Sequence, residues 1–522
     1  MSCTTCNNSS PQIIRMHDAD NVVVTANDEG LKKGDYIAAE HVTLLEDVPQ
    51  AHKIAVQTIE TGKPVVRYGV VVGIAKNRIA KGSWVREKML TIPPAPDLDA
   101  IAKMNPAELP PAEPLEGYTF EGYRNADGTV GTLNILAVST SVNCVEGVLE
   151  VAMKRIREEL LPKYPHVDDV VALQHEYGCG VPMDSPDVGI PIKLLRNIAL
   201  NPNFGGEALM ISLGCEKIQP EIIFPKDTQE FQKKGPYVIV LQDPKFTSFE
   251  SMIAEIMKEA EMRLQRLDKR RRETCPASEL VIGMQCGGSD AFSGMTANPA
   301  LGFASDLVIR AGGTVMYSEM SEVRDRVDLM AAKAVSKEVI RDLVDVMKWN
   351  DNYLAKSKMD RSANTTPGNK AGGLNNIAEK SMGTIVKSGN SPLVGVIKPG
   401  DRRDPQKKGL YFCATPAVDF FCGSLQVAAG CTMHVFTTGR GTPYGLREIP
   451  VIKVSTRTQL YTRWKDLLDV DAGPIATGEA SIADKGWELF KLYLDVASGK
   501  KTKAQQLGIY HSMAVFNPNS VI

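Results

Sequence analysis

Between residues 11 and 92 the apolar positions come in short β-rich runs, "NVVVTAND", "HKIAVQTI", "VVRYGVVVGIA" and "GSWVREKMLTI". Glycines at 30, 34, 62, 69, 73 and 82 punctuate them and no stretch holds a helical period, so 11–92 is predicted to be a small all-β module. Seven prolines then fall between Pro93 and Pro114. Proline lacks the backbone donor that ladders and helices use, so 93–116 reads as an extended linker. From residue 117 the pattern changes. Apolar runs of buried-strand length stand at 133–141, 169–174, 208–213, 237–242, 279–284 and 314–318. Long amphipathic stretches such as "FESMIAEIMKEAEMRLQRLDKRRRE" separate the later ones. Apolar strands alternating with helices predict a largely parallel, doubly wound α/β body over 117–385. A Gly/Asn-rich stretch, "RSANTTPGNKAGGLNN", interrupts this order. Beyond it "GLYFCATP", "AVDFFCGSLQVAAG" and "TMHVFTTGRGTPYG" predict a second, smaller α/β unit over 386–522. The expected fold class is therefore α/β multidomain.

Composition narrows the class of partner. With 60 basic against 62 acidic residues, the chain has no field that would steer nucleic acid or an anionic membrane. No apolar segment approaches the length of a membrane span, and the N-terminus lacks a signal-peptide pattern, so a cytoplasmic protein is expected. Ten cysteines in 522 residues are too few for a disulfide scaffold. Cys3 and Cys6 form a C-x-x-C in a polar start, read as a mobile tail. Cys275, Cys413, Cys422 and Cys431 read as small buried hydrophobes.

In open α/β sheets, ligands bind beyond the carboxyl ends of the strands, so the first polar residues after each run were compared. They are Asn143-Cys144; His175, Glu176 and Cys179 in "HEYGCG"; Cys215-Glu216; Gln242-Asp243; Gln285, Cys286, Ser289 and Asp290 in "QCGGSD"; and Ser318-Glu319 with Glu322. Four of the six ends carry a cysteine, and three add a histidine or carboxylate. Around "GMQCGGSDAFSG" a phosphate cradle, an activated thiol paired with His175, a metal or iron–sulfur site and a bare tight turn all stay open. The dispersed cysteine spacing matches neither a C-x-x-C zinc site nor a compact ferredoxin motif. His17 in "HDADNVVV", His52 in "PQAHKIAV" and Arg67 in "VVRYG" are candidates in the first module. Arg124 in "GYRNADGTVGTLN" and Arg440 in "TTGRGTPYG" lie among glycines, where a guanidinium has room to meet a carboxylate.

These motifs together carry a resemblance. "HDADNVVV", "PQAHKIAV", "RYGVVVGIA", "HEYGCG", "NPNFGGE", "GCEK", "ETCPASELVIGMQCGGSDAFSGMTANPALGFASDL", "PGNKAGGL", "TTGRGTPYG" and "FNP" resemble the altronate and galactarate dehydratase family over nearly the whole chain past residue 11. The resemblance implies that the first module is a β-clip of the SAF kind. It also implies a divalent metal, Fe²⁺ above Mn²⁺, Mg²⁺ or Ca²⁺, and a carbon–oxygen hydro-lyase. The implied reaction takes water from galactarate, a sugar diacid, to give 5-dehydro-4-deoxy-D-glucarate. Such an elimination needs a base for the proton α to a carboxylate, an acid for the departing hydroxyl, and a Lewis acid on the carboxylate. On that reading the metal lies among His175, Cys179, Glu216, Cys286 and Asp290. His17, His52, His175 and Asp290 are the acid/base candidates. Arg67, Arg124 and Arg440 hold carboxylates, and Asn143 and Ser289 contact hydroxyls. A homodimer is the expected assembly. An altronate-type dehydratase, a sugar-acid-binding protein without catalysis, and a [4Fe–4S] hydro-lyase using three of Cys144, Cys179, Cys215 and Cys286 remain as alternatives.

Overall fold

The structure is a computed structural model that describes residues 11–106, 112–225 and 236–520. Cys3 and Cys6 lie outside the described residues. Residues 11–93 form small antiparallel sheets, the largest joining Ile13–Ile14, Val22–Thr25, Lys53–Ala55 and Trp84–Val85. A second joins Pro64–Arg67, Val70–Ala75 and Leu90–Thr91. Their runs are short because turns fall every few residues, as the glycine spacing predicts.

The proline-rich stretch is not extended throughout. Asp97 caps a short helix, Leu98–Ile101, by accepting from Asp99 N at 2.9 Å, and both Leu98 and Ile101 are buried. Two apolar side chains in helical register outweigh the flanking prolines, which sit outside that turn.

All six expected body strands form, but in two parallel sheets rather than one. The first contains β1 (Ile135–Thr140), β2 (Asp169–Leu173), β3 (Leu209–Ser212) and β4 (Tyr237–Val240), in the order β2-β1-β3-β4. The second contains β5 (Val281–Cys286), β6 (Thr314–Ser318), β7 (Leu393–Ile397), β8 (Gly409–Cys413), β9 (Met433–Thr438), β10 (Val451–Ser455) and β11 (Val470–Asp471). Its order is β7-β8-β6-β5-β9-β10-β11. This sheet crosses the expected boundary at 385/386, so strands on both sides of that boundary share one ladder.

Alternation of side chains along the strands joins the layers. Ile282 and Met284 face one core cluster, whereas Val281 faces a second. That second cluster also takes Ile135 and Ala137 from β1, so the two sheets share a buried layer, while Leu136 and Val138 face a third cluster. No helix among the described residues is long and apolar enough to cross a membrane.

Candidate active site

In the seven-stranded sheet β5 leads to β6 on one side, and the chain later returns as β9 on the other. The winding reverses there, and loops leaving neighbouring strands in opposite directions open a crevice at their carboxyl ends. Cys286 ends β5, Glu319 follows β6, and Thr437 and Thr438 end β9.

Glu319 sits in the left-handed region, at φ 81°, and is buried. A non-glycine residue held so costs on the order of 1–3 kcal/mol. The conformation turns the chain directly from β6 into a helical turn, Met320–Val323, and thereby brings Glu322 to the same point. Cys286, Glu319 and Glu322 each place one ligand atom within 4.8 Å of the others, the one such group of metal-ligating side chains among the described residues. Lys387 Nζ lies 3.0 Å from both Cys286 Sγ and Glu319 Oε2. Lys380 Nζ lies 2.6 Å from Glu322 Oε1, and Thr384 Oγ1 donates to Glu322 Oε2 at 2.5 Å. Both lysines come from the buried helix Ile377–Ile385 and the turn after it.

The electrostatics follow from burial and pairing. Burial, with Glu322 alongside, pushes Glu319 up to about 7, Lys387 opposing. Burial also works against an ionised Glu322, but Lys380 and Lys387 outweigh it and hold this carboxyl below its usual range. Burial pushes the Cys286 thiol up to about 12. Asp419, which accepts from Gln285 Nε2 at 2.8 Å, is raised to about 6, chiefly by burial. One thiol and two close carboxylates form a donor set suited to a borderline divalent ion such as Fe²⁺ or Mn²⁺. The donor types and their spacing fit such a cation, which would take the place Lys387 Nζ now holds against Cys286 and Glu319.

Asp290, buried, forms a wall between two spaces. On one side a cavity of about 10 Å³, the room for one water, is lined by Tyr68, Cys286, Ser289, Asp290, Lys380 and Thr384 among others. On the other side an open groove of about 280 Å³ runs between the N-terminal module and the body, past Gln50, Asp290, Gly372, Arg440 and Arg457. Arg457 Nε stands 3.2 Å from Asp290 Oδ2, and Thr456 Oγ1 reaches both carboxylate oxygens at 3.2 Å. A larger cleft of about 980 Å³ is lined by Ser278, Glu279, Val281 and Lys408, at the amino ends of the strands. α/β sheets bind at the opposite edge.

The N-terminal module completes the cavity wall. Lys53 Nζ lies 2.8 Å from Glu379 Oε1 and donates to Gly373 O at 2.6 Å. Arg67 pairs with the same carboxylate and donates to Ala291 O at 3.0 Å. All three side chains are fully buried, so this triad docks the module. It leaves Tyr68 beside Gly294, where an added Cβ would meet the Tyr68 hydroxyl at 2.6 Å.

The residues singled out in the sequence are distributed unevenly over this geometry. Cys286, Ser289 and Asp290 line the cavity, and Arg440 lines the groove. Arg67 is committed to Glu379 and Ala291. His52 accepts from Trp84 Nε1 at 3.2 Å and is pushed down to about 4 by burial and then Lys53. His17 Nδ1 accepts from Ala19 N at 3.0 Å, next to the Tyr68–Gly69 turn. Arg124 pairs with Glu273 at 2.5 Å, exposed at the end of the central strand of a three-stranded antiparallel sheet.

The five expected metal ligands do not gather. His175, Cys179 and Glu216 belong to the four-stranded sheet, Cys286 and Asp290 to the seven-stranded one. His175 accepts from Tyr177 N at 3.1 Å on Nδ1, so its Nε2 carries the proton given to Thr140 O at 3.1 Å, and no lone pair is left for a metal. Burial pushes this ring down to about 4. Glu216 accepts from Ser141, Ser212 and Gly214 N, and Asn143 is exposed. Lys380, Lys387, Arg457 and Tyr68 went unnoticed in the sequence. The signal available for the lysines was charge inside an otherwise apolar helical run, "IAEKSMGTIVKSG".

Paired acids and ammonium groups at a switch point, beside a groove lined by both carboxylates and arginines, are groups that proton-moving chemistry uses. Family models match three successive stretches of the chain. Residues 11–93 match the altronate/galactarate dehydratase SAF domain, 122–268 the second domain of D-galactarate dehydratase/altronate hydrolase, and 277–521 the D-galactarate/altronate dehydratase C-terminal domain. Galactarate dehydratase (L-threo-forming) of Escherichia coli is 54% identical over 513 residues, 97% of each chain. Altronate dehydratase of Bacillus subtilis is 32% identical over 96% of this chain and 98% of its own. The beta subunit of (2R)-sulfolactate sulfo-lyase from Chromohalobacter salexigens is 28% identical over 76% of this chain and 96% of its own. The chain belongs to the altronate/galactarate dehydratase family.

Proposed function

We propose that the chain is a hydro-lyase that removes water from galactarate to give 5-dehydro-4-deoxy-D-glucarate. The observation that carries this reading is the 54% identity, over 97% of both chains, to a galactarate dehydratase. The groove and cavity supply chemistry that suits it. Arg440 and Arg457 offer guanidinium forks for a carboxylate of the substrate. Asp290, raised by burial and flanked by Arg457, faces that position and takes the proton α to the carboxylate. Loss of this C–H proton and of the neighbouring C–O bond gives an enol, which gives up its hydroxyl proton and takes one at carbon to become the keto acid. The hydroxyl leaves as water with a proton from Lys380, which lies in the one-water cavity beyond Asp290, is kept protonated by Glu322 in spite of its burial, and recovers its proton from Asp290. A divalent ion held by Cys286, Glu319 and Glu322 supplies Lewis-acid stabilisation of the charge built up on the substrate. Iron(II) is the ion proposed, ahead of manganese, magnesium or calcium. The working assembly is taken as a cytoplasmic homodimer.

The test offers galactarate and D-altronate separately to the reduced, iron-loaded protein and measures 2-keto acid. Galactarate is expected to be the faster substrate. Asp290→Asn is expected to lower turnover by ~10²-fold or more with iron content unchanged. Preference for altronate, binding of galactarate without keto acid, or an active Asp290→Asn enzyme overturns the reading.

A further inference from the structure

A second cluster of chemistry lies on the other sheet. Cys144, Cys179 and Cys215 follow β1, β2 and β3, which are adjacent and parallel, so the three loops leave one edge. All three thiols are exposed, whereas the other five described cysteines are buried. Apolar packing therefore does not explain them.

The loops that carry them are stitched together. Asn143 N donates to Tyr177 O at 3.1 Å, and Ile218 N to Gly178 O at 3.4 Å. Buried Glu216 ties the first loop to the third by accepting from Ser141 and Ser212, and it also accepts from Gly214 N at 2.6 Å. Gly178 lies so close to the first loop that an added Cβ would stand 2.3 Å from Ser141 O. Each cysteine is thus one residue away from a residue fixed in this network. Gln242, at the end of the fourth strand, donates from Nε2 to Cys215 Sγ at 3.3 Å. An N–H aimed at sulfur stabilises the thiolate form that metals bind.

We infer that Cys144, Cys179 and Cys215 are the protein ligands of a [4Fe–4S] cluster whose fourth iron is open to solvent and to a hydroxyl or carboxylate ligand. Scale disfavours a single ion shared by all three. One tetrahedral ion draws thiolates to ~3.8 Å apart, and these three sulfurs do not form a ligand group within 4.8 Å of one another. A cubane holds its thiolates farther apart than one ion does. Cys286 is excluded as a ligand, because it is buried on the other sheet against Lys387 and Glu319. The three thiols follow strands of a different sheet from Asp290, and the inference does not depend on the proposed elimination.

The experiment reconstitutes the full chain anaerobically with iron(II), iron(III) and sulfide under a thiol reductant. The expected product is brown, with about four irons and four acid-labile sulfides per chain above the iron bound without sulfide. Cys144→Ser, Cys179→Ser and Cys215→Ser each lose the colour and the sulfide, while Cys286→Ser keeps both. Because the three thiols are exposed, melting temperatures of the metal-free serine variants should match the parent, which separates loss of a ligand from loss of fold. Absence of sulfide-dependent colour overturns the inference. So does colour that survives in the three variants or disappears in Cys286→Ser, and so does stoichiometric zinc binding to the three thiols with no uptake of sulfide.

Discussion

A single methyl group at position 439 would stand 2.4 Å from Asp290 Oδ1. The same glycine's carbonyl accepts from Arg457 Nη2 at 3.0 Å, so the backbone here cannot give way without moving both groups of the groove floor. Gly439→Ala is expected to cost about 1–3 kcal/mol of stability and to lower turnover at least tenfold, because a misplaced reacting group loses its geometry. Urea denaturation and the keto-acid assay check the two effects, and an unchanged rate with unchanged stability would be the contrary result. At this scale the sequence was legible where glycine and polar residues crowd one turn, as in "QCGGSD". It misled where a residue's partners decide its role. His175 stands at a strand end like a ligand, yet both ring nitrogens are used by backbone. Lys380 and Lys387 look like solvent-facing charges until the helix that carries them is found buried on all sides.

Strands were legible as apolar runs because a parallel strand is covered on both faces and has no polar side to show. Which strands pair was not, since each run satisfies either sheet equally well, and the break between β4 and β5 leaves no mark stronger than an ordinary loop. The helix Ile377–Ile385 is the element on which site and module converge: Lys380 faces the cavity while Glu379, one residue earlier, receives Lys53 and Arg67. Removing that carboxylate leaves two buried cations without their counter-charge. Glu379→Ala is expected to destabilise the chain by about 3–5 kcal/mol and to speed proteolytic cleavage within 93–116 several-fold. Limited proteolysis with mass analysis, beside a denaturant titration, measures both. Cleavage and midpoint equal to the parent's would show that the triad does not dock the module.

Buried histidines set how the whole molecule responds to acid. His434 has no hydrogen-bond partner on either ring nitrogen among the described residues, and burial pushes it down to about 3, while His52 is pushed down to about 4. An unfolded histidine takes a proton near pH 6.5, so below that value the unfolded chain binds protons the folded one refuses. The stability tied to both rings is therefore whole above about pH 6.5 and is lost as pH falls towards 4. Melting temperature is expected to drop steeply between pH 6.5 and 4.5, and less so in a His434→Gln variant; a flat profile over that range would contradict it. Tyr68 reaches the cavity only because the module that carries it is docked, and the module is tied to the body by the segment 93–116. Tethering makes this docking an intramolecular event. The aromatic wall of the cavity is then present in the same fraction of chains at nanomolar as at micromolar dilution, and the dehydratase body never has to wait for its cap to diffuse in.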